Sequence, residues 1–194
     1  YTAFEAMRDM KAMIEREVAR RNIQDDIKLG AGGIREVEFI VQVFQLIYGG
    51  SKLELQDRQC LVSLKYLGEV GLLDEEAVNN LEDAYLFLRR VEHAIQALND
   101  QQTQSLPTES DLRNRINETL GFSTWEEFIS FLNEKRAKVI YQFEHLIKDK
   151  AQDSPIESFS HLENQLNETL DENAKNLIHE FWYGHAIKRI PASL

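Results

Sequence analysis

The run Lys28-Leu29-Gly30-Ala31-Gly32-Gly33-Ile34-Arg35-Glu36-Val37-Glu38-Phe39 holds the residue types best suited to chemistry in this 194-residue sequence. Gly30, Gly32 and Gly33 feed directly into an amphipathic stretch. Glycine permits positive φ and close backbone approach, and the first turn of a helix carries N–H groups without intrahelical partners, so an anion such as phosphate can be seated there. Lys28 and Arg35 would add positive charge to that seat. A tight corner between two helices draws on the same residue types, and sequence leaves both readings open. Glu36 and Glu38 complicate a pure phosphate cradle, because carboxylates repel the anion unless Mg2+ or an arginine intervenes. The run lacks the Gly-Lys-Ser/Thr ending of a Walker loop, and no predicted strand precedes it as a dinucleotide site requires.

Downstream, Arg35, Glu38, Gln42 and Gln45 fall on one polar helical line that begins at the glycine loop and is placed either in solvent or against a cleft or second domain. A later long helix carries Arg89, Arg90, Glu92 and His93. Arg90 shares a line with Leu86, Ala94 and Ala97, which predicts a partly buried guanidinium in need of a carboxylate or phosphate; Glu38 is the candidate partner. His179-Glu180 with His185 has the wrong spacing for a zinc helix, since the second histidine falls about 120° off the face of the first. His145, His161 and Cys60 have no partners identifiable from sequence, and no Gly-x-Ser-x-Gly elbow occurs. Neither a metal site nor a self-sufficient catalytic group is expected within this chain.

The elements that must position these residues are helices. Phe4, Met7, Met10, Met13, Ile14 and Val18 recur at three- and four-residue steps, with Asn22 as a stop signal. Ile34, Val37, Val41, Phe44 and Tyr48 form a second stripe closed by Gly49-Gly50. Leu61, Leu64 and Leu67 mark a third helix ending near Gly71. Asp74 is an N-cap followed by Glu75 and Glu76, and Val78, Leu81, Tyr85, Leu88, Val91, Ile95 and Leu98 continue as a long central stripe. Leu106-Pro107 interrupts. A short helix spans about Ser110 to Leu120 before Gly121, and Ser123 with Glu126 or Thr124 with Glu127 offers a capping box for a last long helix through Trp125, Phe128, Leu132, Val139, Phe143 and Ile147. A polar stretch from Lys148 leads to Pro155, so the chain divides into a helical bundle over residues 1–150 and a helical appendage or connector over 151–194. The expected fold class is all-α, a multi-helix bundle.

Composition narrows the partners. Twenty-two basic against 33 acidic residues give a formal charge of −11, which repels a nucleic-acid backbone. Cys60 is the only cysteine, so no intrachain disulfide or cysteine-held zinc is possible and a reducing compartment fits. No apolar run reaches membrane-spanning length; a soluble, cytoplasmic protein is expected. The chain opens on Tyr1 in what reads as mid-helix material, the expectation being a piece of a longer protein.

Ile27-Lys28-Leu29-Gly30-Ala31-Gly32-Gly33-Ile34-Arg35-Glu36-Val37-Glu38-Phe39-Ile40-Val41-Gln42 closely resembles the signature of the glutamine synthetase adenylyltransferase family. Met7-Arg8-Asp9-Met10-Lys11, Tyr85-Leu86-Phe87-Leu88-Arg89-Arg90-Val91-Glu92 and Asp100-Gln101-Gln102-Thr103-Gln104-Ser105-Leu106-Pro107 agree in order. The resemblance covers Tyr1 to about Lys148. It implies two tandem nucleotidyltransferase halves, one removing AMP from glutamine synthetase by phosphorolysis and one attaching it from ATP, biased by PII signalling proteins and glutamine. The Ile-Arg-Glu-Val-Glu-Phe form looks like the deadenylylating half. Such lobes hold Mg2+ through an Asp-x-Asp pair after Gly-Ser. No Asp-x-Asp occurs here, so the resemblance implies a helical domain that follows a missing lobe. It would be inactive alone and bind no Mg2+, nucleotide or phosphate by itself. Lys28, Gly30, Gly32, Gly33, Arg35, Glu36 and Glu38 would line the shared cleft, with Arg89, Arg90 and Glu92 in support. Implied partners are glutamine synthetase, PII and the rest of its own chain; the competing reading is a docking module for PII or glutamine synthetase whose glycine loop is architectural.

Overall fold

A computed structural model describes Ala12, Arg16, Val18, Arg20 and residues 23–99 and 104–149. The expected appendage over 151–194, and the first expected helix apart from those four helical positions, lie outside the described residues. Val18 is buried in the core.

Five helices and one short 3-10 turn follow: α1 Ile34–Tyr48, the turn Leu53–Gln56, α2 Cys60–Glu69, α3 Glu75–Asn99, α4 Ser110–Leu120 and α5 Trp125–Asp149. Among the described residues there is no strand, only an isolated antiparallel bridge between Asp26 and Ser105. The all-α class therefore holds, and the apolar stripes mark the helices closely. Among the described residues no helix is long and apolar enough to cross a membrane.

The ends are set by local chemistry. Gly49 closes α1 by donating its N–H to the Gln45 carbonyl at 2.8 Å. Gly121 ends α4 in the left-handed region at φ 84°, the usual role of a glycine after a helix. At α5, Thr124 Oγ1 accepts from the Glu127 N–H at 3.1 Å, while Glu127 Oε2 accepts from the Ser123 N–H at 2.9 Å. This is a capping box whose return arm reaches one residue further back than the usual pattern.

The long α3 is the axis of the bundle: α5, α4, α2 and α1 all pack on it, and α1 also packs on α5. Leu81, Ala84, Leu88, Val91 and Ile95 bury one stripe of α3, each large side chain contributing about 1.5–3 kcal/mol of transfer free energy. Phe87 meets Phe131 edge-on at 4.9 Å, and Phe122 meets Phe128 at 5.5 Å. Phe39 stacks on Phe143 at 5.7 Å, which fixes the start of α1 against α5.

That fixation brings the bend before α1 unusually close to α5. Gly32 has φ +67°, and a Cβ there would lie 2.4 Å from the Arg136 carbonyl oxygen. Gly71 has the same handedness, φ +69°, but nothing within 4 Å. Gly71→Ala should therefore cost about 1 kcal/mol in chemical denaturation, the ordinary left-handed penalty, and Gly32→Ala about 3 kcal/mol or more, because backbone must move as well. Equal losses at the two positions would contradict the close approach.

Candidate functional site

Residues 23–33 form a closed bend. Asp26 Oδ1 accepts from the Lys28 and Leu29 N–H groups at 2.8 and 2.7 Å. The Asp26 carbonyl accepts from the Gly30 N–H at 3.0 Å and from Arg136 Nη2 at 2.7 Å, while Arg136 Nη1 donates to the Gln24 carbonyl at 3.0 Å. Two further bonds, Ile27 N–H to Gln104 carbonyl at 2.9 Å and Leu106 N–H to Asp25 carbonyl at 3.1 Å, tie the bend to the segment after α3.

The start of α1 is satisfied from within. Gly33 donates to Gly30 at 2.9 Å, Ile34 to Ile27 at 3.2 Å, Arg35 to Lys28 at 3.1 Å and Glu36 to Gly33 at 3.1 Å. Donors already bonded to carbonyls are not available to an incoming anion. Gly30, Gly32 and Gly33 are themselves buried, and a Cβ on any of them would lie within 3.0 Å of backbone oxygen. Of the two readings left open by the sequence, the local geometry fits the tight corner: Gly30 and Gly33 crowd carbonyls of their own bend, and Gly32 lies against the backbone of α5.

The side chains around the bend tell a different story. Glu38 Oε2 is 3.4 Å from Arg35 Nη1, and Glu38 Oε1 is 3.4 Å from Arg89 Nη2. Arg89 Nη1 reaches Glu92 Oε2 at 2.8 Å, and Lys28 Nζ lies 3.9 Å from Glu92 Oε1. The Tyr85 hydroxyl accepts from Arg89 Nε at 3.2 Å and faces Glu38 Oε1 at 3.5 Å. Lys28, Arg35, Glu38, Arg89 and Glu92, expected to act together, are indeed brought together. Three cations and two carboxylates meet in this cluster.

Burial grades the members. The Glu92 side chain is only 3% exposed and that of Arg35 9%, whereas Lys28 and Arg89 keep 25% and 35%. Glu92 needs its partners, since a buried carboxylate without them is costly. Lys28, held by one long ion pair, keeps a half-buried side chain.

Arg90 departs from expectation. It is exposed, and the guanidinium that meets Glu38 belongs to Arg89. Leu86, which suggested a buried line through Arg90, is itself 46% exposed; the inward line runs through Tyr85, Arg89 and Glu92, three or four residues apart. Glu36 is buried, and its charge acts on Arg136. Farther along α1, Gln45 Nε2 donates to the Asp57 carbonyl at 2.8 Å and to Ser63 Oγ at 3.0 Å, so the end of the polar line is used to hold the α1–α2 connection.

The protonation states follow from these contacts. Burial lowers the Arg89 pKa, but hydrogen bonds to Glu92 and Tyr85 outweigh it and leave the guanidinium above its ordinary value. Burial, then the Glu38 charge, pushes the Cys60 thiol up to about 12, with Arg89 opposing. Burial also raises Tyr85, opposed by Arg89. Arg136 is lowered by burial against the opposing charges of Asp26, Asp25 and Glu36.

Sequence reasoning missed Asp26, Arg136 and the hydroxyl role of Tyr85. A signal for Arg136 existed: the α5 stripe Phe128, Leu132, Val139, Phe143 has its gap at positions 135 and 136, where apolar residues would be due and Lys135 and Arg136 stand. Lys135 is buried and pairs with Asp83. Among the described residues no group of three or more His, Cys, Asp or Glu is placed to hold a metal ion.

Residues 8–147 match the family model described as GlnD PII-uridylyltransferase. The chain is 70% identical over 192 residues to the bifunctional glutamine synthetase adenylyltransferase/adenylyl-removing enzyme of Acinetobacter baylyi, covering 99% of this chain and 21% of that protein. It is 47% identical over 162 residues to the protein of the same name from Chromobacterium violaceum, covering 84% of this chain and 18% of that protein. The chain therefore spans about a fifth of the length of these relatives.

Two measurements check the geometry. Arg89→Ala should cost about 2–3 kcal/mol of stability by leaving the Glu92 carboxylate poorly compensated, whereas Arg90→Ala should stay within about 0.5 kcal/mol; the reverse order would refute the cluster. With its thiol pushed up to about 12, Cys60 should be alkylated at pH 8 at least about 100-fold more slowly than a free thiol. The same raised pKa contributes stability that is full below the ordinary 9.0 and is lost as pH rises through about 12. Alkylation at the rate of a free thiol would contradict this burial.

Proposed function

The chain belongs to the GlnD PII-uridylyltransferase family, and on that basis we propose that it is the helical domain packed beside the nucleotidyltransferase lobe in the deadenylylating half of a bifunctional glutamine synthetase adenylyltransferase. The family description and the relatives' names point to different protein targets. Identity to the adenylyltransferases over almost the whole chain favours glutamine synthetase as the target, with PII as a regulatory partner and the cytoplasm as the compartment.

The observation that carries the reading is the convergence of the signature segments. Ile27–Gln42 and Tyr85–Glu92 are far apart in sequence and meet at the cluster of Lys28, Arg35, Glu38, Arg89 and Glu92, while the Gln104 carbonyl accepts from the Ile27 N–H. Lys28 presents its ammonium toward a phosphate held in the neighbouring lobe. Arg89 and Glu92 fix where that ammonium sits, and Glu38 locks Arg35 to Arg89. Mg2+ and nucleotide bind in the lobe outside this chain, where a divalent ion held by paired carboxylates neutralises phosphate charge; the carboxylates here are already engaged by arginines.

A docking module is favoured by one observation, the sealed glycine bend, which is architectural. Lys28→Ala in the full-length protein separates the two. A cleft role predicts that phosphorolytic removal of AMP from glutamine synthetase slows by about 10–100-fold while adenylylation is unchanged. Loss of adenylylation alone would put the chain in the other half, and unchanged chemistry with weakened binding of PII or glutamine synthetase would establish docking instead.

A further inference from the structure

We propose that Arg136 of α5 is a positioning residue for the reaction, holding the 24–35 bend so that Lys28 and Arg35 stand where the charged cluster needs them. The inference rests on the cleft role of Lys28 given above.

Arg136 touches none of the clustered side chains by any bond described above; its fork ends on the carbonyls of Gln24 and Asp26, at 3.0 and 2.7 Å. A guanidinium presents its N–H groups in a rigid plane, so gripping two carbonyls two residues apart fixes both the position and the direction of that strand of backbone. The constraint then passes along bonds. The carbonyl of Asp26 also takes the Gly30 N–H, and its carboxylate takes the N–H groups of Lys28 and Leu29. The Lys28 carbonyl in turn receives the Arg35 N–H. Two backbone bonds and one carboxylate thus connect the α5 guanidinium to both cations of the bend.

Packing leaves little alternative position. A Cβ on Gly30 would lie 3.3 Å from Arg136 Nη2 and 2.5 Å from the Asp26 carbonyl oxygen, and one on Gly32 would lie 2.4 Å from the Arg136 carbonyl oxygen. The glycines therefore make room for this one arginine and its turn of helix. Arg136 is half-buried; a desolvated cation is costly unless its donors are used, and a neutral side chain would have served mere packing. Two of the Arg136 N–H groups are taken by main-chain carbonyls at the neck of the bend, away from the cluster, a placement suited to setting geometry.

The test uses the full-length protein with Arg136→Gln, Lys28→Ala and the double variant. If Arg136 acts through the bend, Arg136→Gln slows phosphorolytic AMP removal about 10–100-fold, and the double variant is no slower than Lys28→Ala, because an effect exerted through Lys28 vanishes once Lys28 is gone. Amide hydrogen exchange at residues 27–35 should quicken by about 10-fold or more in Arg136→Gln, with α4 unchanged. Multiplying rate losses, or unaltered exchange in the bend, would overturn the proposal. Faster exchange in the bend with a fully active Lys28→Ala would uphold Arg136 as the clamp and discard the phosphate role of Lys28 instead. Should Arg136→Gln fail to fold, Arg136→Lys, which keeps the charge and one carbonyl contact, carries the same measurements.

Discussion

The contact on which the rest depends is the meeting of two backbones, the bend at residues 24–33 and the turn of α5 at Arg136. No Cβ fits at Gly32 against the Arg136 backbone, so the approach is closer than side chains allow, and the Arg136 guanidinium closes it by donating to two carbonyls. Once the bend is fixed there, α1 must leave in one direction. Phe39 lands on Phe143, and Arg35 and Glu38 are turned toward α3.

From that placement the charged cluster follows. Arg89 and Glu92 are a helical pair three residues apart that would form on any helix, but Glu38 and Lys28 reach them only because the bend delivers both from the other side. Desolvation of these charges is offset by their mutual contacts and by the Tyr85 hydroxyl. The arrangement does not maximise stability, since apolar residues would pack as well; it holds one half-buried lysine beside an ordered array. A lysine ammonium placed in this way suits a phosphate offered from outside the bundle.

Much of this was legible from sequence. Stripes of Ile34, Val37, Val41 and Phe44, and of Leu81, Leu88, Val91 and Ile95, fix their helices because apolar spacing at 3.6 residues has one consistent reading, and Gly49, Gly121 and Thr124 with Glu127 mark ends through local bonds. The grouping of Lys28, Arg35 and Glu38 with Arg89 and Glu92 follows from the resemblance, and the structure brings these five side chains together. Arg89 and Arg90 were confused because Leu86 was read as buried, although apolar residues are often exposed. The sequence leaves the glycines open between an anion seat and a tight corner because their conformational freedom looks the same in both; the position of α5, more than a hundred residues away in the chain, bears on the choice. Asp26 and Arg136 act on main-chain atoms, which sequence patterns do not display.

The central claim is that this cluster faces a phosphate held by the rest of the protein. The most direct measurement is a structure of the full-length protein with inorganic phosphate bound, reading the distance from Lys28 Nζ to the nearest phosphate oxygen. A separation within about 3.2 Å, a charge-assisted hydrogen bond, is expected. A phosphate more than about 8 Å away, beyond the screening length at physiological salt, would contradict it.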